Sequence, residues 1–163
     1  MALDTTVGGA SSDSYDTLAA YQAYGSDMGW TLAADAANEA NLRRAAQVID
    51  RQYAFKGYRA SSTQALQWPR DINDLIEGYA VSSTTIPQAI IYAQFEMAYL
   101  IQNGADPFAT IAGVVASTRS KAGPVETETT YQGGKGRASY VAISGLLAPY
   151  LTQGRGQRPM VRG

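Results

Sequence analysis

The chain has 163 residues, enough for one domain with extensions around a modest core, and its 14 acidic and 13 basic residues nearly cancel. It contains no cysteine and no histidine, which excludes disulfides, Cys or His metal sites and every nucleophile system that relies on an imidazole. Only carboxylate, Lys, Tyr or Ser chemistry would remain to an enzyme.

Charged residues make up 17% of the chain, and a surface with so few charges does little to keep copies apart, which favours self-association. The near-neutral total hides a partition. Residues 1–116 carry six Arg or Lys against twelve Asp or Glu, whereas residues 117–163 carry seven against two. The basic half is either a solvated tail or a surface turned towards an acidic partner or DNA. The start Met-Ala-Leu-Asp-Thr-Thr has neither a basic n-region nor an apolar h-region, so no secretory signal and no membrane association are expected.

Leu3 to Ser14, rich in Thr, Gly, Ser and Asp, reads as an extended arm. A short helical pattern follows through Tyr15, Leu18, Ala19, Gln22 and Ala23, with Gly25 and Gly29 as its stops. Tyr15, Tyr21, Tyr24 and Trp30 read as packing residues rather than a base-stacking platform, because no basic residue lies among them. Asp35 to Tyr53 is the clearest amphipathic helix. Asp35 is its expected N-cap, Leu42, Ala45, Ala46, Ile49 and Tyr53 its buried row, and Glu39 with Arg43 an i,i+4 pair. Arg43, Arg44 and Arg51 share this element with Asp35, Glu39 and Asp50, which marks a solvated face rather than a nucleic-acid patch.

Residues 56–70 are polar and irregular, with Leu66 and Trp68 expected to tuck against the core. Asp71, Asp74 and Glu77 recur at helical spacing and read as the wet side of a short helix, not as a metal site. Ile86 to Ile101 is the stretch around which the rest should pack. Ile86, Ile90, Ala93, Met97 and Leu100 form one apolar row and Ile91, Phe95 and Tyr99 a second, so a helix here is buried on most sides. Pro87 fits its first turn behind Thr84 or Thr85, and Gly104 with Pro107 supplies the stop. This is either the central helix of a bundle or a surface that meets another copy of the chain.

Phe108, Ile111, Val114 and Val115 suggest one more short helix or turn, and Val125 to Tyr131 alternates as a strand. Gly133 to Arg137 is a flexible tip without the spacing of a phosphate loop. Val141, Ile143, Leu146, Leu147 and Leu151 suggest a last helix ending near Pro149, and Thr152 to Gly163 cannot bury itself. The expected fold is therefore mainly α: a small helical bundle over residues 1–151, carrying the loop 56–70 and a β and Gly-rich tip over 120–137. An extended C-terminal tail, 152–163, completes it.

The run Gly57 to Arg70, with Gln64-Ala65-Leu66-Gln67-Trp68-Pro69-Arg70 at its end, and the helix start Ile86-Pro87-Gln88-Ala89-Ile90 resemble the head-to-tail adaptor (connector) proteins of tailed bacteriophages. Leu146 to Leu151 adds to the likeness, which covers about Leu3 to Leu151, and the nearest-looking group carries the label DnaT-like single-stranded-DNA-binding protein. The resemblance implies a structural neck protein, made in the host cytoplasm and built into the virion as a homo-oligomeric ring, a dodecamer. Portal, tail or stopper protein and packaged DNA are its implied partners. On that reading Arg155, Arg158, Pro159, Met160, Val161 and Arg162 meet the portal, while Lys135 and Arg137 face the DNA channel. Single-stranded-DNA binding is the alternative; the weak interleaving of aromatic and basic residues and the pI of about 5.3 count against it. No acid–base pair or nucleophile stands out for an enzyme, and no cofactor is expected.

Overall fold

A computed structural model of the chain describes residues 2–108 and 140–152, together with the backbone of two strands, 114–121 and 126–132. It resolves into two compact units, residues 1–105 with 140–163 and residues 106–139. The first unit is a helical body of α1 (Leu18–Asp27), α2 (Asp35–Gln52), α3 (Gln88–Gln102) and α4 (Val141–Leu147), closed by a 3-10 turn at Ala148–Tyr150. The short strands β1 (Tyr58–Arg59) and β2 (Arg70–Asp71) pair antiparallel within it. In the second unit, β3 (Val114–Lys121) pairs antiparallel with β4 (Glu126–Gln132), with one register shift between Val115 and Ser117. The protein is thus mainly α with small β elements, as its sequence pattern requires. Among the described residues no helix is long and apolar enough to cross a membrane.

Helix α3 is the hub. It touches α1, α2 and α4, and no other helix touches all of the rest. Its first apolar row buries Ile90, Ala93 and Met97, and Phe95 anchors the second. Gly104, with φ of +91°, turns the chain out of the helix, and the Ala105 N–H reaches back to the Leu100 carbonyl at 3.0 Å. At the other end the helix opens one residue later than expected. Pro87 stands at the N-cap and no side chain caps it.

Two expectations about the other helices need correction. Asp35 is the first residue inside α2 and not its cap; its carboxylate accepts from Gln22 Nε2 at 2.8 Å and so spans α1 and α2. Gly25 does not stop α1, because the helix runs on to Asp27 and Gly25 is where Leu32 packs. A Cβ there would lie 2.9 Å from Leu32 Cδ1, so the glycine serves a close approach. Gly29, with φ of +70°, is the actual turning point. The expected row of α2 holds except at its end: Leu42, Ala45, Ala46 and Ile49 are fully buried and the Glu39–Arg43 pair stands at 3.7 Å, but Tyr53 is the extended residue after the helix and is only half-buried.

Two further expectations fail. Residues 71–77 form no helix, and Val114 and Val115 open strand β3 instead of a helix or turn. The hairpin therefore contains the anticipated alternating strand, together with a partner that lacks the alternation by which it could be recognised.

Candidate interaction site

The irregular connections of the body hold most of its polar organisation. The loop 56–70 is fixed from inside by Arg70, only 7% exposed. Its Nε donates to the Lys56 carbonyl at 2.8 Å, one terminal nitrogen to Gln67 Oε1 at 2.7 Å, and the other to the Gly57 carbonyl. A guanidinium carries five donors in a rigid fork, so one side chain can gather several strands of backbone. Gln64 does the same on a smaller scale: its Nε2 donates to the carbonyls of Leu66 and Pro69, and its Oε1 accepts from the Ser61 N–H. Leu66 and Trp68 are buried as expected, Trp68 edge-on to both Phe55 and Tyr150.

A second network joins the N-terminal arm to the bundle. Gln94, fully buried in α3, accepts from the Tyr15 N–H at 3.0 Å and donates to Ser14 Oγ and the Leu42 carbonyl. The Tyr15 hydroxyl donates to Asp50, whose other oxygen accepts from the Gln67 N–H at 3.1 Å. Burial pushes the Asp50 carboxyl up to about 6, against the pull of Tyr15, the Gln67 amide, Arg70 and Arg51. Arg43 pairs with Asp13 at 2.6 Å and Glu39 at 3.7 Å and holds the arm to α2. Sequence reasoning missed Gln94, Asp50 and Arg70 as organising residues.

The aromatic residues around α1 and α3 pack on one another. Tyr15 and Tyr21 are buried, Trp30 stacks on Tyr99 with ring centres 4.1 Å apart, and Tyr24 stacks on Tyr92 at 4.6 Å. Those faces are already occupied, and the Tyr24 hydroxyl donates to the Glu96 carboxylate, so the packing reading is the correct one.

Residues 72–87 behave differently. Ile76 and Tyr79 exchange both backbone hydrogen bonds at 2.9 Å around Glu77 and Gly78, with φ of +52° and +88°. That is a two-residue turn with both centres in the left-handed region, a position where Asn-Gly is usual and a glutamate carries about 1–2 kcal/mol of strain. The turn leaves Leu75 at 65% and Tyr79 at 79% exposure, and it borders a cavity of about 330 Å³ lined in part by Ile76, Tyr79, Val81, Pro87 and Tyr150. Glu77 also lines it; burial, and after it the Glu77 charge, raise the pKa of the Tyr150 hydroxyl. Asp71, Asp74 and Glu77 are exposed and make no ion pair among the described residues.

Lys135, Arg137 and the tail residues Arg155, Arg158, Pro159, Met160, Val161 and Arg162 lie outside the described residues. Among the described residues no cluster of acidic side chains could hold a metal ion. The chain ends its described course at Thr152, whose N–H donates to the Ala54 carbonyl at 2.9 Å, beside the Phe55–Leu151 bridge.

The described chain is thus a helical body with interlocked loops and a strained turn at a shallow groove, and a second unit that holds a two-stranded β-ribbon. The chain belongs to the family described as "Putative DnaT-like ssDNA binding protein", whose model matches residues 1–163, the tail included. No curated protein and no solved structure matches it.

Proposed function

We propose that the protein is a structural head-to-tail adaptor of a phage neck, working as a ring and not as a catalyst. The observation that carries this reading is the division of charge along the fold. The helical body, residues 2–105 with 140–152, holds six cationic and eleven acidic side chains. Four of those six cations are engaged within the fold: Arg70, Lys56 and Arg59 on backbone carbonyls and Arg43 between carboxylates. The seven remaining cations of the chain all fall between Arg119 and Arg162. An acidic body repels a phosphate backbone and is suited to protein neighbours, while the basic segments are suited to DNA or an acidic partner. A two-stranded ribbon is marginal by itself, and both β3 and β4 are edges among the described residues, so the hairpin gains from a neighbouring chain. Closed rings of identical chains supply such neighbours. On this reading Lys135 and Arg137 face the channel, and Arg155 to Arg162 meet the portal.

The family's description favours a second reading, single-stranded-DNA binding by the chain itself. Its seat would be the same basic segments, because stacking platforms and cations do not coincide on the body. Titrating a fluorescent oligonucleotide at low and physiological salt, beside a portal pull-down, separates the two. The adaptor reading expects retention of portal and only weak, salt-sensitive DNA binding. Tight strand binding at physiological salt with no portal retention replaces it with the second reading.

A further inference from the structure

The groove beside the Ile76–Tyr79 turn has a shape and charge that fit a part of this chain. Its walls are mixed: Ile76, Val81, Pro87 and Tyr150 offer apolar surface beside the hydroxyls of Ser82 and Thr85, and the Glu77 carboxylate lines it too. Asp71 and Asp74 precede it, exposed and without ion-pair partners among the described residues. The C-terminal segment Arg158-Pro159-Met160-Val161-Arg162 has the complementary order: three apolar residues between two cations. It is also close at hand. Tyr150 lines the groove, and the described chain ends two residues later at Thr152. From there the sequence runs through Gly154 and Gly156 to Pro159, and about seven residues at random-coil dimensions span roughly 15 Å, a reach comparable with the way back to a groove lined by Tyr150. Tethering at that length gives an effective concentration on the order of millimolar, so even a weak contact is populated.

We propose that this groove is the seat of the chain's own C-terminal segment, with Met160 and its apolar neighbours against Tyr79, Val81 and Tyr150 and the flanking arginines beside Glu77 and Asp74. The docked segment keeps its cations away from other acidic surfaces until a competing partner displaces it. The inference does not depend on the adaptor reading; it concerns the free chain whatever that chain later meets.

The absence of native cysteine makes the test clean. In the full chain carrying Tyr79→Cys and Met160→Cys, mild oxidation at micromolar concentration should give an intramolecular disulfide at least tenfold faster than in a chain carrying Met28→Cys and Met160→Cys. Met28, also exposed at 51%, caps the C-terminal end of α1, which does not touch α4 or the 3-10 turn. Adding Glu77→Gly removes the carboxylate and relaxes the backbone at φ of +52°, so the fold is kept while the cross-link slows several-fold. Equal rates for the two cysteine pairs would overturn the proposal. So would a disulfide found only in dimers, which would place the segment on another copy, or a rate that Glu77→Gly leaves unchanged.

Discussion

Two irregular stretches stand side by side in the sequence and make opposite use of their polar residues. The loop 56–70 turns Arg70 and Gln64 inward onto backbone carbonyls and buries Leu66 and Trp68. The next stretch, 72–87, spends its backbone bonds on one tight turn and leaves Leu75, Tyr79 and its carboxylates outside. Lack of regular structure therefore does not distinguish scaffold from contact surface. What distinguishes them is whether the long polar side chains satisfy the protein's own backbone or remain available to another molecule.

The contrast predicts large effects in the first stretch and small ones in the second. Trp68→Ala, which empties a site 1% exposed, should cost about 4 kcal/mol in a urea unfolding titration. Arg70→Ala strands the carbonyls of Lys56, Gly57 and Gln67 and should cost about 3 kcal/mol, and Arg70→Lys should recover only part of that, because an ammonium cannot reproduce the fork. Leu75→Ser and Tyr79→Ser should each stay within about 0.5 kcal/mol of the parent. A loss of several kcal/mol at Tyr79 would dissolve the distinction.

Asp50 sharpens the comparison through pH. Its folded carboxyl titrates near 6 against an ordinary value of 3.8, so the folded state holds the proton more tightly than the unfolded one. The sign follows: this group's contribution is most favourable below about pH 4 and is lost as the pH rises through 6, an amount on the order of 3 kcal/mol. Asp50→Asn should remove that slope between pH 4 and 7 when its unfolding free energy is compared with the parent's at each pH. One substitution in the second stretch should be a gain: Glu77→Gly, by relieving a left-handed glutamate, should stabilise the fold by about 1 kcal/mol.

Much of the fold was legible because it rests on periodicity. The apolar rows of α2 and α3 repeat over enough turns to declare both the helices and their buried faces, and α3 is the hub that its two rows imply. Where a feature depends on tertiary context, the sequence misled. Asp71, Asp74 and Glu77 keep helical spacing, yet Gly78 permits a turn that the Ile76–Tyr79 pairing selects. Gly25 looks like a stop and is a contact, since Leu32 approaches from beyond the helix. Strand β3 ends Ser117-Thr118-Arg119-Ser120-Lys121, which has no apolar alternation, so its partner β4 was visible and it was not. Arg70, Asp50 and Gln94 differ in no local way from exposed residues of the same type; their inward direction comes from carbonyls and amides supplied by distant segments. The groove at Glu77 could not be read from the sequence, because the turn that borders it is set by the pairing of Ile76 with Tyr79.

The central claim is that the acidic helical body serves protein assembly and that the chain is an adaptor. Sedimentation velocity on one mixture of the protein, portal and a fluorescent single-stranded oligonucleotide at physiological salt tests it most directly. The account predicts that protein and portal sediment together as a large complex while most of the oligonucleotide remains slow. A protein that leaves portal alone and carries the oligonucleotide with it would contradict the account.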